Sequence, residues 1–156
     1  MKGKPEVLDV LAQMLKEELG AISQYMVHAE MCENWGYKRL GDHTKKEAIS
    51  EMKHAETLIE RILFLEGMPN LNDMPKLAVG KDVKQQLQND LALEKDAVAD
   101  YNDAIALCRK AGDHGSADML QAILADEEGH VDFLETQLGL IEEIGLENYL
   151  ARQFGE

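Results

Sequence analysis

The sequence is poor in several features that mark particular classes of protein. Among 156 residues there are three prolines, two cysteines and only 5% aromatic residues. Cys32 and Cys108 form no CxxC pair, which argues against a zinc site or a thioredoxin-like motif, and we interpret both as small buried hydrophobic residues. No apolar run approaches the roughly 20 residues of a membrane span, and the opening MKGKPEVLDV lacks the apolar core of a secretion signal. We therefore predict a cytoplasmic protein without a membrane partner.

Positive charge is also scarce. Lysine and arginine number 16 against 30 acidic residues, which gives a net charge of −14. Such a surface repels phosphate backbones, so nucleic acid is not an expected partner, whereas metal cations and basic protein surfaces are attracted. The hydrophobic fraction of 45% is typical of a folded globular chain, and the length predicts one domain over residues 1–156.

Four long apolar stripes run along the chain with alternating spacings of three and four, which predicts one buried face on each of four helices. The clearest positions are Leu11, Leu15, Tyr25 and Cys32; Leu40, Ala55, Leu58 and Ile62; Leu87, Leu91, Tyr101 and Cys108; and Leu120, Leu124, Leu134 and Ile141. We predict helices over roughly residues 5–35, 38–66, 82–112 and 115–144, with a short fifth helix over roughly 146–154.

The links between these helices differ in length. Short breaks near Trp35 and near Gly112 predict two antiparallel hairpins, whereas residues 67–81 carry Pro69 and Pro75 and do not continue a helix. An extended link of that size reaches roughly 50 Å, about the length of the predicted helices. The expected fold is all-α, a ferritin-like four-helix bundle with one long crossover and a short fifth C-terminal helix.

The two halves of the chain repeat. Leu11 aligns with Leu87, Tyr25 with Tyr101 and Cys32 with Cys108, each at an offset of 76 residues. A two-copy repeat of this length indicates two helical hairpins packed with approximate two-fold symmetry.

Charged residues interrupt the apolar stripes at equivalent places in both halves. They are Glu18, Glu51 and His54 in the first half and Glu94, Glu127 and His130 in the second. Burying four carboxylates without partners costs several kcal/mol each, so these residues need compensation inside the bundle. A Glu and a His three positions apart share one helix face and can point at one centre.

This doubled pattern of Glu plus Glu-x-x-His is typical of di-iron carboxylate sites in helical bundles. Each metal ion would receive one imidazole, one terminal carboxylate and a share of two bridging carboxylates. Oxygen and nitrogen ligands of this kind suit iron and manganese, and zinc adventitiously. The alternative, a solvated helix face with incidental histidines, explains one such motif but not two in the same repeat register.

Tyr25 and Tyr101 lie seven residues after Glu18 and Glu94, on the same helix faces. We interpret them as packed side chains whose hydroxyls bind ligand carboxylates, with a one-electron donor role in catalysis as the alternative for Tyr25. The other histidines, His28, His43 and His114, lack companions at ligand spacing, and we predict that they lie at the surface.

The motifs that carry these residues resemble those of bacterioferritins over essentially the whole chain. They are Glu18, SEMKHAE at 50–56, Glu94, DEEGH at 126–130, the opening MKG, ILFLEGMPNL at 62–71 and IGLENYL at 144–150. The resemblance implies a ferroxidase that oxidises Fe(II) with dioxygen or peroxide at the di-iron site. It also implies a homo-oligomeric, twenty-four-subunit cage in which ferric mineral is stored.

The resemblance further implies haem b, bound between two subunits by one methionine from each, and the matching residue is Met52. The repeat aligns Met52 with Glu128, and its position about 100° around the helix from Glu51 turns it away from the bundle core. A plain dimer contact is the alternative reading. A [2Fe–2S] ferredoxin is an implied electron-transfer partner.

Some members of the family line a channel through the shell with residues that match Asn34, Glu66, Asp132 and Thr136. Others hold extra iron where this chain has the poor ligands Lys46 and Ser50.

Two other functions remain open from the sequence. A di-iron oxidase or peroxide scavenger without storage would use the same ligands, although no rubredoxin-like CxxC segment is present. A haem electron-transfer protein would keep the bundle only as a scaffold, which leaves six intact ligands unexplained. A miniferritin fits less well, because its ligands lie between subunits.

Overall fold

The computed structural model describes residues 1–155 and confirms the all-α, ferritin-like bundle with its long crossover and short last helix. The helices are α1 (Pro5–Asn34), α2 (Lys38–Phe64), α3 (Val83–Lys110), α4 (His114–Ile144) and α5 (Leu146–Ala151). α5 ends three residues before its predicted end, because Arg152 and Gln153 donate their N–H groups to carbonyls three residues back and tighten the chain into turns. In the described part of the chain no helix is both long enough and apolar enough to cross a membrane.

The helix ends follow from local sequence. Asp82 caps α3 by accepting a hydrogen bond from the Gln85 N–H, and Asp113 caps α4 by accepting from Ser116. Gly36 and Gly112 follow α1 and α3 with φ of 88° and 79°, a left-handed conformation in which glycine is favoured. These two glycines are equivalent in the internal repeat, so both hairpins turn in the same way.

The bundle core is built from the predicted stripes. α1 packs along α2 and α3 along α4, while contacts between α1 and α3 join the two hairpins. Large side chains such as Leu11, Leu58 and Leu120 are fully buried. Cys32 and Cys108 are buried and unbridged, which confirms their interpretation as small core residues.

The crossover, residues 65–82, is held against α1 and α3 by specific contacts. A Cβ on Gly20 would lie 2.5 Å from Pro75 Cγ, so the absence of a side chain there lets the crossover approach α1 closely. The Ala78 N–H donates to Gln24 Oε1, and Asn89 of α3 donates to the Ala78 carbonyl.

The prediction that His28 lies at the surface is wrong, because this side chain is only 1% exposed. Its Nε2 accepts from the Gly80 N–H, so Nδ1 carries the hydrogen and donates to Asp90 Oδ1 at 2.9 Å. Asp90 also accepts from Gln24. His28, Asp90 and Gln24 thus form a buried polar cluster, here called the clamp, which holds the crossover at Gly80. His43 is half-buried and stacks on Phe133, whereas His114 is exposed as predicted.

Candidate metal centre

The structure brings the six predicted side chains together at the middle of the bundle. Two overlapping groups of ligand atoms form, each with its atoms within 4.8 Å of one another. One group contains Glu18, Glu51, His54 and Glu127, and the other contains Glu51, Glu94, Glu127 and His130. Glu51 and Glu127 belong to both groups, so the two potential metal positions are fused into one centre.

The distances show the internal symmetry of this centre. In the first group His54 Nδ1 lies 2.9 Å from Glu127 Oε1, 3.3 Å from Glu51 Oε1 and 3.6 Å from Glu18 Oε2. In the second, His130 Nδ1 lies 3.2 Å from Glu51 Oε1 and 3.3 Å from Glu94 Oε1. Both imidazoles thus aim the same nitrogen at the shared carboxylates.

Hydrogen bonds from outside the six residues fix their orientation. Tyr101 donates to Glu18 Oε1 at 2.5 Å, and Tyr25 donates to Glu94 Oε1 at 2.6 Å. Burial and the neighbouring carboxylates raise the pKa of both tyrosines well above 10, so their hydroxyls remain donors.

The outer imidazole nitrogens are held differently in the two halves. His54 Nε2 lies 2.8 Å from Asp126 Oδ2, and His130 Nε2 lies 2.5 Å from Glu47 Oε2. A carboxylate behind a histidine is the usual support for a metal-binding imidazole, because it fixes the tautomer and the ring orientation.

The centre contains more acceptor atoms than the protein can satisfy. Buried oxygens of Glu18, Glu51, Glu94 and Glu127 have no hydrogen-bond partner, and neither does His54 Nδ1. Burying a carboxylate oxygen without a partner costs folding free energy. The ligand atoms of these four residues and the two histidines lie in two overlapping groups around one shared volume. Metal cations bound there would satisfy these atoms, so the residues present fit a two-metal centre.

The protonation of the centre reflects the same excess of carboxylate oxygens over hydrogen-bond donors. Burial raises the pKa of Glu127 to about 12 and of Glu18 to about 8, with neighbouring carboxylates adding to the effect. Burial alone favours neutral imidazoles, but three carboxylates close to each ring outweigh it and raise the pKa of His54 and of His130. Without metal, protons therefore supply the positive charge that the carboxylates need.

Two openings approach the centre from opposite faces of the bundle. A cleft of about 270 Å³ between α1, α3 and the crossover reaches Glu18 and Glu51. A wider pocket of about 560 Å³ between α2 and α4 reaches His130 and Asp126. Small ions can thus approach the centre from either side.

Comparisons with known proteins agree with this geometry. The ferritin-like domain family matches residues 8–144. A bacterioferritin of Brucella melitensis is 48% identical over 149 residues, which cover 96% of this chain and 92% of that protein. One of Mycolicibacterium paratuberculosis is 43% identical over 152 residues, covering 97% and 96% of the two chains. A bacterial ferritin of Synechocystis is 47% identical over 154 residues, covering 98% and 99%. The chain belongs to the bacterioferritin family.

In this bacterioferritin, Met52 lies on the outer side of α2 and is 44% exposed. Lys45 lies 3.9 Å from Glu30 across the α1–α2 hairpin, and Met26, one turn before Glu30 on α1 and itself 54% exposed, lies on the same flank. A thioether at such a place points beyond its own bundle.

The residues expected to line a channel are not gathered within one chain of this bacterioferritin. Asn34 ends α1 and Glu66 follows α2, so they lie at opposite ends of the first hairpin. Lys46 and Ser50, in contrast, lie together in the pocket beside His130.

Sequence reasoning missed three carboxylates that support the site or its surroundings: Glu47, Asp90 and Asp126. For the first two the internal repeat offers a signal, because Glu47 aligns with buried Ile123 and Asp90 with buried Met14. A charge at a position whose repeat partner is both apolar and buried indicates a buried polar contact. Asp126 aligns with Ser50 and carries no such signal.

Proposed function

We propose that this protein is an iron-storage ferroxidase, which oxidises Fe(II) with dioxygen or peroxide and retains the ferric product. The observation that supports this most strongly is the fusion of the two ligand groups through Glu51 and Glu127. Two redox metal ions held by shared carboxylates suit paired electron transfer, which limits the release of radical products. A lone metal site would not have this property.

In this proposal Glu18 and His54 would hold one iron ion, Glu94 and His130 would hold the other, and Glu51 and Glu127 would contribute to both positions. Four carboxylates balance the charge of two divalent cations and favour the ferric state once electrons have left. Bound iron supplies the redox chemistry, because Fe(II) can give one electron to an oxidant. The chain contributes the binding, the orientation and the exclusion of bulk water.

The neighbouring groups keep the ligands in place. Tyr25 and Tyr101 hold one oxygen of Glu94 and Glu18, which leaves the other oxygen free to bind metal. Asp126 and Glu47 hold the outer nitrogens of the two histidines. Tyr25 has the additional proposed role of a one-electron donor during oxidation, for which its contact with a ligand carboxylate is a suitable path.

Storage requires a cage, and we propose a cytoplasmic, twenty-four-subunit homo-oligomer as in the family. The single chain leaves large apolar side chains exposed near two ends of the bundle: Leu63, Phe64 and Met68, and Leu140, Ile144 and Phe154. Exposed apolar groups of this kind are typical of surfaces that other subunits cover.

We also propose that Met52 binds haem b together with the same residue of a second subunit. The exposed thioether of Met52, with exposed Met26 on the same flank, supports this assignment, and thioether ligation raises the reduction potential of a haem. Electrons for iron release would then come from a [2Fe–2S] ferredoxin.

Substitution of the ligands tests the site. In Glu94→Ala and in His130→Ala we expect fast Fe(II) oxidation, followed by the ferric absorbance, to fall at least about a hundredfold while the helical circular dichroism stays unchanged. Glu128→Ala is the matched control, because it removes an exposed carboxylate from the same helix. Oxidation at the wild-type rate in either ligand variant would contradict the assignment.

Iron loading tests storage. Fe(II) is added aerobically in large excess, and the iron that stays with the protein after gel filtration is counted. Iron far above about two ions per chain, in a particle much larger than a dimer, supports a storage cage. Iron that stops near two per chain indicates an oxidase or peroxide scavenger, and a haem absorption band without Fe(II) oxidation indicates an electron-transfer protein.

A further inference from the structure

A stripe of basic and polar residues follows α2 on the side that faces α4. Arg39, His43, Lys46, Ser50 and Lys53 recur at spacings of four, three, four and three, which places them on one face of the helix. Lys46, Ser50 and Lys53 line the 560 Å³ pocket that also contains His130 and Asp126. The centre is therefore bordered on this side by two ammonium groups and a hydroxyl.

Neither of the two lysines of this pocket forms an ion pair with a carboxylate among residues 1–155. Some lysines elsewhere in the chain do form ion pairs: Lys38 lies 3.0 Å from Asp42, and Lys95 lies 3.9 Å from Glu135. Asp126 is the acidic residue of the pocket, and its Oδ2 is engaged by His54 Nε2. The charge of Lys46 and Lys53 is thus available to a ligand.

Most of the charged residues that border the opening on the opposite face of the bundle are acidic. The cleft between α1 and α3 is bordered by Glu17 and Asp96 as well as by the ligands Glu18 and Glu51, with Lys76 as its one basic residue. Cations are attracted to that side and anions to the α2–α4 side. The two faces of the bundle therefore differ in the sign of the ion that each accepts.

We propose that the pocket formed by Lys46, Ser50 and Lys53 binds inorganic phosphate beside the metal centre. Two ammonium groups supply charge, and the Ser50 hydroxyl supplies a directed hydrogen bond to a phosphate oxygen. Phosphate oxygens are hard ligands that bind Fe(III), so an anion held beside His130 lies where ferric product would leave. This last step rests on the proposed ferroxidase function, whereas phosphate binding itself does not.

Titration calorimetry of the metal-free, full-length oligomer with inorganic phosphate at low ionic strength tests the proposal. We expect saturable binding in the wild type and a loss of affinity of about tenfold or more in Lys46→Gln/Lys53→Gln, the scale of a lost charge-assisted hydrogen bond. Lys38→Gln/Lys95→Gln removes the same charge from lysines that already contact carboxylates, and we expect less than about a twofold change. Gel filtration confirms that both variants keep the wild-type particle size.

Three results would overturn the proposal: no saturable phosphate binding in the wild type, an unchanged affinity in Lys46→Gln/Lys53→Gln, or equal losses in the two double variants. Equal losses would show that the affinity for phosphate depends only on the net charge of the protein. Because no metal is present, these results are independent of ferroxidase activity. Failure of Fe(II) oxidation would leave the phosphate site standing, and failure of phosphate binding would leave the di-iron centre standing.

Discussion

Tyr25 donates its hydroxyl hydrogen to Glu94 Oε1 across 2.6 Å, although the two residues belong to different hairpins. In the equivalent contact of the internal repeat, the donor is Tyr101 of the second hairpin and the acceptor is Glu18 of the first. Each hairpin therefore orients one carboxylate of its neighbour. This reciprocal exchange ties the geometry of the metal centre to the contact between α1 and α3.

The two tyrosines permit a matched test of Tyr25 as an electron donor. In Tyr25→Phe and Tyr101→Phe we expect Fe(II) oxidation to slow by roughly tenfold, because each loses a hydrogen bond that positions a ligand. If Tyr25 only positions Glu94, the two variants behave alike. If it also donates an electron, only Tyr25→Phe changes the number of Fe(II) ions consumed per oxidant and removes any tyrosyl radical signal in rapid-freeze electron paramagnetic resonance.

Metal binding should release protons. In the metal-free protein the raised pKa values of Glu127 and Glu18 and of both histidines keep these groups protonated near pH 7, and a metal ion must displace those protons. We expect about one proton or more per metal ion when Fe(II) is added without oxygen to weakly buffered protein. Affinity should rise from pH 6 to pH 8, since fewer protons then compete.

The control for this measurement is Glu94→Ala/His130→Ala, which loses two of the four ligands of one group and should release fewer protons. Saturable metal binding without proton release in the wild type would contradict the protonation described for the centre.

The buried clamp at His28 should stabilise the crossover. His28→Ala leaves the Gly80 N–H without its acceptor and Asp90 with one hydrogen-bond donor fewer, so we expect a loss of about 1–3 kcal/mol in the free energy of unfolding. Hydrogen exchange at Gly80 should accelerate, while exchange in the core of α4 changes only with the global stability. His114→Ala, at an exposed histidine, is the control. Equal stability of the two variants would show that the clamp contributes nothing.

Haem binding should depend on Met52. In Met52→Leu we expect the absorption band of thioether-ligated haem to disappear and Fe(II) oxidation to persist, because the substitution keeps the apolar volume and removes the sulfur. Met26→Leu is the control on the same exposed flank, and it should retain the haem spectrum. An unchanged haem content and spectrum in Met52→Leu would place the axial ligand elsewhere.

The sequence predicts the parts of this structure that depend on periodicity. The apolar stripes define the bundle, and the repeat predicts that six charged residues converge. The surroundings of His28 could not be predicted from spacing, since its partners Asp90 and Gly80 lie more than fifty residues away and meet it only through the path of the crossover. Asp126 is likewise a surface-type residue whose role depends on where the His54 ring points.

The internal symmetry ends just outside the six ligands. His54 is supported by Asp126, which is largely open to water, whereas His130 is supported by Glu47, which also contacts His43 in a more enclosed setting. Two positions with the same ligands but different neighbours cannot have the same affinity for a metal ion. The two halves of the centre therefore differ, and we expect metal ions to bind them with different affinities rather than as two interchangeable ions.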